Sequence, residues 1–170
     1  MSSNFLTRND YAEGTAAKHF FFSSIVMLNI GVLMALGTSL RLAWPDIFPN
    51  DIAWLHFGRI RPVHVHFVIF GWISMAFAGA MCYMAPALCK TKLWSEKLGV
   101  WNCWAWNLGM VAVFFTLING MTTGREYQDL IWPVDIYVLL FIFLPLAVNI
   151  WMTMLTRKTE GLYVTLWFFG

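Results

Sequence analysis

Residues 58–72 read GRIRPVHVHFVIFGW and place two arginines and two histidines at the start of a long apolar run. Hydrophobic residues make up 59% of the chain and charged residues only 12%, a composition typical of membrane proteins. An ionisable side chain inside a membrane helix is costly and therefore points to a functional site. The stretch thus predicts a membrane-spanning helix with a candidate site at one end.

The chain contains four apolar stretches that can cross a bilayer, which requires about 20 residues. The predicted spans cover residues 19–44, 62–88, 100–121 and 131–155, and a fifth apolar stretch begins at residue 162. We therefore predict an all-α, polytopic transmembrane helix bundle in one domain. We also expect the fourth span to bend near Pro145, because proline removes a helical hydrogen bond. Membrane lipids are the expected surroundings, and no nucleic-acid partner is expected.

The distribution of basic residues predicts the orientation. Seven of them lie in the amino-terminal tail and in the loops after the second and fourth spans, against three or four on the other side. The positive-inside rule then puts the amino terminus in the cytoplasm, and the two histidines near the outer surface. Within the spans, Asn29, Asn107, Asn119 and Asn149 are suited to hydrogen bonds between helices.

The two histidines of this stretch must be judged separately. On a regular helix, His64 and His66 point about 200° apart, so they cannot both bind one metal. A haem iron is the commonest reason for such a histidine. The small residues Gly71, Ala78 and Gly79 share the face of His64, where they would leave room for a flat macrocycle or allow close helix packing. We favour His64 as an axial ligand, with a hydrogen bond to a neighbouring helix as the alternative.

Arg59 and Arg61 immediately precede the predicted span, and Pro62 is suited to its first turn. Such arginines are often only solvated at the membrane interface. If a haem is bound at His64, they can instead pair with its propionates. The three cysteines form no C-x-x-C-H motif, so a covalently attached c-type haem is not expected.

Three motifs carry a resemblance to a known family. They are GRIRPVH at residues 58–64, GREY and WPVDI at residues 124–127 and 132–136, and YVTLWF at residues 163–168. With these motifs the chain resembles the catalytic subunit of the cbb3-type cytochrome c oxidases, which belong to the C family of haem-copper oxygen reductases. The resemblance covers most of the chain from Trp54 onward and indicates the amino-terminal part of that subunit.

The resemblance implies roles for four residues. His64 matches one of the two axial histidines of the low-spin haem b, and Arg59 and Arg61 match residues near its propionates. Glu126 matches an outer-loop glutamate associated with a calcium ion that bridges haem propionates. The chain departs from the family pattern after the ligand histidine, where Val65-His66 stands in place of the usual Thr-Asn.

The resemblance also implies the activity of a complete subunit in the bacterial inner membrane. Electrons from cytochrome c would enter through c-type haem subunits and the low-spin haem b. A high-spin haem b and copper, held by helices beyond residue 170, would reduce oxygen to water with proton translocation. This segment alone would lack the oxygen-reducing centre. Two alternatives stay open: the large subunit of a nitric oxide reductase, and a non-redox membrane interaction or assembly protein.

Overall fold

Four long helices form the protein, and the computed structural model describes residues 11–125 and 130–169. Each of the four is long and apolar enough to cross a membrane. Their bounds are Thr15–Ala43, Phe57–Leu88, Glu96–Ile118 and Trp132–Leu155. A four-residue helix, Val164–Trp167, lies in the predicted fifth stretch. The described residues contain no strand, so the predicted all-α bundle with four spans is confirmed.

The second long helix has three parts. It consists of α2 (Phe57–His66), a first π-helical segment (Phe67–Ile73) and α3 (Ser74–Leu88). The first long helix, in contrast, is a single α-helix, α1 (Thr15–Ala43). The second long helix therefore begins at Phe57 and not at residue 62. The expectation that the two arginines precede the helix was wrong, because both lie inside α2.

The fourth long helix has the same three-part construction. It comprises α5 (Trp132–Tyr137), a second π-helical segment (Val138–Phe143) and α6 (Leu144–Leu155). This π segment ends two residues before Pro145, and the bend expected near that proline stays a prediction. A π-helical segment pairs residues five apart instead of four, so it rotates the side chains that follow it.

Small residues let α1 lie close to its neighbours. A Cβ atom added to Gly71 would lie 2.9 Å from Cβ of Met27, and one added to Gly79 would lie 3.1 Å from Cβ of Phe20. For Gly71 and Gly79 these contacts support close helix packing, one of the two explanations offered for the small residues below His64. The third long helix, α4 (Glu96–Ile118), is closer still to α1 at Gly99, where an added Cβ atom would lie 2.5 Å from Cβ of Ala16.

Polar side chains hold the helix ends together on the side predicted to face the cytoplasm. The carboxylate of Glu96 accepts hydrogen bonds from the backbone N–H groups of Gly14 (2.7 Å) and Ala16 (2.8 Å), and so caps α1. Asn149 of α6 accepts from the N–H of Ser95 (3.0 Å) and donates to its carbonyl (2.9 Å). Buried polar groups at this end thus link α1, α4 and α6.

The four asparagines expected to connect helices divide into two pairs. Asn149 does so through Ser95, and Asn107 of α4 donates to the Ser23 hydroxyl of α1 over 3.0 Å. Asn29 and Asn119 instead donate to carbonyls of their own helices, four residues earlier. The expectation was therefore right for Asn107 and Asn149 and wrong for Asn29 and Asn119.

Candidate haem-binding site

His64 lies in α2 and faces α1. Its ring is half-buried, and Nδ1 lies 2.9 Å from the carbonyl oxygen of Gly31. A carbonyl oxygen can only accept a hydrogen bond, so Nδ1 must carry the proton and Nε2 keeps its lone pair. Metal-binding histidines typically donate their second ring nitrogen to a carbonyl in this way. The side chain is therefore prepared to act as a ligand through Nε2.

His66 differs from His64 in its surroundings. Only 1% of its surface is exposed, and Nδ1 donates to the Pro62 carbonyl of its own helix over 2.8 Å. Nε2 is buried and has no hydrogen-bond partner within residues 11–125 and 130–169. The Phe70 ring lies beside it, with ring centroids 5.5 Å apart. Side chains of the protein itself surround this imidazole.

The burial of the two rings distinguishes them as haem ligands. A haem extends several ångströms from its iron in every direction of its plane, so a ligand nitrogen needs open space around it. The ring of His64 is partly open, whereas that of His66 is enclosed on all sides. Of the two, His64 is therefore the more accessible candidate ligand, whereas His66 would require the packing around α2 to open.

The sequence predicts the same role for the two arginines, but they differ in burial and in position around the helix. Arg61 is exposed and precedes His64 by three residues, which places the two side chains about 60° apart on α2. Arg59 is half-buried, about 140° from His64 around the helix axis. Its Nη1 atom is buried without a hydrogen-bond partner in the described part of the chain. Of the two, Arg61 is the arginine that shares the face of the candidate ligand.

The guanidinium of Arg59 lies against Gly120, just after the end of α4. Gly120 has a φ of +74°, and a Cβ atom at this position would overlap Nη1 of Arg59. Glycine is therefore required both by the backbone conformation and by the arginine. The carboxyl end of a helix carries partial negative charge, which favours a cation there. Arg59 thus joins α2 to α4.

Glu126, the expected calcium contact, lies outside the described residues.

Two side chains of α4 bond to carbonyls of the π segments. The indole Nε1 of Trp106 donates to the Phe70 carbonyl over 3.1 Å. The amide of Asn102 donates to the carbonyls of Phe141 (3.0 Å) and Ile142 (2.9 Å). Asn102 was missed by the sequence argument. The sequence feature that could have indicated its role is Pro145. Proline has no N–H, so it cannot donate to the carbonyl of Phe141, four residues earlier.

A largely apolar cavity of about 380 Å³ is lined by residues of α4 and of the two π segments. Phe70, Trp106, Met110, Val113 and Ile142 contribute to its walls. Neither His64 nor His66 lines this cavity, so it is distinct from the candidate haem site.

Comparison with known proteins decides the family. A family model described as "Cytochrome C and Quinol oxidase polypeptide I" matches residues 15–170. The chain belongs to this family. This confirms the family resemblance based on the three motifs.

Curated members of the cytochrome c and quinol oxidase polypeptide I family include several similar chains. The "Cbb3-type cytochrome c oxidase subunit CcoN1" of Stutzerimonas stutzeri is 33% identical over 154 residues, which are 90% of this chain and 32% of the relative. A "Cytochrome c oxidase subunit 1 homolog" of Agrobacterium tumefaciens (strain T37) is 31% identical over 140 residues, 82% of this chain and 25% of the relative. The chain thus spans between a quarter and a third of the length of these relatives.

Proposed function

We propose that this chain forms the electron-entry part of a cbb3-type terminal oxidase, in which His64 is an axial ligand of a low-spin haem b. The observation that carries this proposal is the hydrogen bond from Nδ1 of His64 to the Gly31 carbonyl, 2.9 Å long. It leaves Nε2 with a free lone pair on a ring that is open on one side. Membership of a subunit I family supports the same role.

The arginines act at the propionate edge of the proposed site. Arg61 is exposed on the face of His64, so its guanidinium can reach a propionate and form a bidentate, charge-assisted pair. Arg59 is directed to Gly120 instead and contributes a positive charge at the same end of the helix. Glu126 follows Arg125 in the next outer loop and is proposed as a calcium contact. A second axial histidine has to come from outside residues 1–170.

In the complete protein, electrons from c-type haem subunits would pass through this haem to a high-spin haem b and copper, where oxygen is reduced to water with proton translocation. The relatives' printed names, which specify cytochrome c oxidase, support this reaction class. We place the amino terminus in the cytoplasm, because basic residues are more numerous on the amino-terminal side. The bacterial inner membrane is proposed from the similarity to cbb3-type oxidases.

The proposal is tested by comparing two substitutions in the complete membrane complex. His64→Ala should abolish the low-spin haem absorption band, and added imidazole should restore part of it by occupying the vacated position. His66→Asn, the matched control, should keep the band, because it introduces the residue that the family usually has there.

The opposite pattern would refute the assignment. If the complex with His66→Asn lost the low-spin band while the complex with His64→Ala kept it, His64 would not be the ligand. A purified complex that gave no haem stain at all would favour the non-redox alternative.

A further inference from the structure

We propose that the backbone carbonyl of Gly31 is a positioning group for His64, through which α1 lowers the reduction potential of the bound haem. This inference rests on the proposed function, because it assumes that His64 is the ligand. It adds that the first long helix, to which no haem ligand is assigned, helps to set the electronic properties of the site.

The contact joins two helices that are distant in sequence. Nδ1 of His64 in α2 and the carbonyl oxygen of Gly31 in α1 are 33 residues apart and separated by 2.9 Å. A carbonyl within a helix has two lone pairs, so it can accept from the imidazole as well as from its own helix. The bond is partly buried, and it favours one orientation and one tautomer of the imidazole.

The absence of a side chain at residue 31 makes the contact possible. A Cβ atom at Gly31 would lie 3.1 Å from Cγ2 of Val68 and 3.5 Å from Cβ of Phe67. The first distance is shorter than an ordinary contact between carbon atoms. An added methyl group would therefore push α1 away from the second long helix by a few tenths of an ångström. The hydrogen bond from His64 would lengthen by a similar amount.

The direction of the electronic effect follows from the donor. A hydrogen bond from Nδ1–H to a carbonyl makes the imidazole a more basic ligand. A more basic ligand stabilises the oxidised iron, which carries one more positive charge, relative to the reduced iron. Weakening the bond should therefore raise the reduction potential, and the orientation of the ring should become less uniform.

The matched control for this contact is Gly37, which also lies on α1 beside the second long helix. A Cβ atom at Gly37 would lie 3.8 Å from Cγ2 of Ile60, which is an ordinary contact. Gly37→Ala therefore makes the same chemical change on the same helix without disturbing the His64 bond. Val68→Ala serves as the second-site change, because it removes the methyl group that a residue-31 side chain would meet.

The experiment is a redox titration of the low-spin haem in the complete complex. Gly31→Ala should change the ratio of reduced to oxidised haem at a fixed potential about fivefold in favour of the reduced form, equivalent to about 40 mV. The double variant Gly31→Ala/Val68→Ala should return toward the parent value, and Gly37→Ala should leave it unchanged. An unchanged potential in Gly31→Ala, with the low-spin spectrum intact, would overturn the proposal.

A second measurement needs no substitution. Pulsed electron paramagnetic resonance of the oxidised parent complex reports the quadrupole coupling of the remote imidazole nitrogen, which decreases when its N–H donates a hydrogen bond. A coupling equal to that of an unbonded imidazole would overturn the role of Gly31 even if Gly31→Ala does not assemble. Failure of the proposed function is distinguishable, because it would appear as survival of the low-spin haem in His64→Ala.

Discussion

Asn102 donates hydrogen bonds to two carbonyls at the end of the second π segment, and one of them, that of Phe141, lies four residues before Pro145, which has no N–H. Its amide nitrogen donates to the carbonyls of Phe141 and Ile142, and only 1% of its surface is exposed. We predict that Asn102→Leu destabilises the protein, because a leucine of similar volume leaves both carbonyls in an apolar interior without this donor. The fourth long helix should loosen from α4 at this point.

The expected size follows from three contributions. Hydrogen bonds between membrane helices are worth about 0.6 kcal/mol on average and at most about 1.7 kcal/mol, so the two bonds contribute about 1 to 3 kcal/mol. The Oδ1 atom of Asn102 is buried without a hydrogen-bond partner among the described residues. Removing this atom stabilises the variant by about 1 kcal/mol, because a buried acceptor without a hydrogen bond destabilises the folded protein. The net loss should therefore be at most about 2 kcal/mol.

The assay is unfolding by sodium dodecyl sulfate in mixed micelles, followed by the fluorescence of the ten tryptophans. The control is Asn29→Leu, because Asn29 is exposed and donates only within α1. Pro145→Ala tests the cause directly, since it restores an N–H that can reach the Phe141 carbonyl. Asn102→Leu should cost less in that background, and an equal cost in both backgrounds would refute the reasoning.

Two further predictions concern close packing and charge. Gly99→Ala should destabilise the protein by about 1 to 3 kcal/mol in the same titration, because its Cβ atom would lie 2.5 Å from Cβ of Ala16. Adding Ala16→Gly should restore most of this stability. A Gly99→Ala protein as stable as the parent would contradict the close packing of α1 and α4. Arg61→Gln should lower the haem potential by up to about 70 mV, the effect of a charge about 10 Å away at an effective dielectric constant of about 20. Compared with Arg61→Gln, Arg59→Gln should lower the haem potential less and the stability of the protein more. Equal potential shifts in the two variants would show that the two guanidiniums are equivalent.

Hydropathy alone predicts the four spans, because each is longer and more apolar than a soluble helix. It fails at the start of the second long helix, where α2 begins at Phe57. Arg59 and Arg61 interrupt the apolar pattern there, although arginine has a high helix propensity. A prediction based on hydropathy therefore starts the helix at Pro62, although the helix begins at Phe57.

The π segments limit what periodicity can predict about the site. The angle between His64 and His66 is predictable, because both lie in the regular helix α2. The first π segment, which no residue type announces, shifts the helical register below His64, yet Gly71 and Gly79 still face α1 as His64 does. Likewise an asparagine in a span predicts a hydrogen bond but not its partner, and Asn29 finds its partner within its own helix.

The carboxylate cap on α1 also imposes an order on biosynthesis. Glu96 accepts from N–H groups that lie 82 and 80 residues earlier in the chain. At a synthesis rate of about 5 to 20 residues per second, α1 leaves the ribosome about 4 to 16 s before its cap exists. Until then, water or lipid headgroups must satisfy those N–H groups, which keeps the amino end of α1 at the membrane surface. We therefore expect a change at Glu96 to impair the docking of α1 against α4 during biosynthesis, before any electron transfer begins.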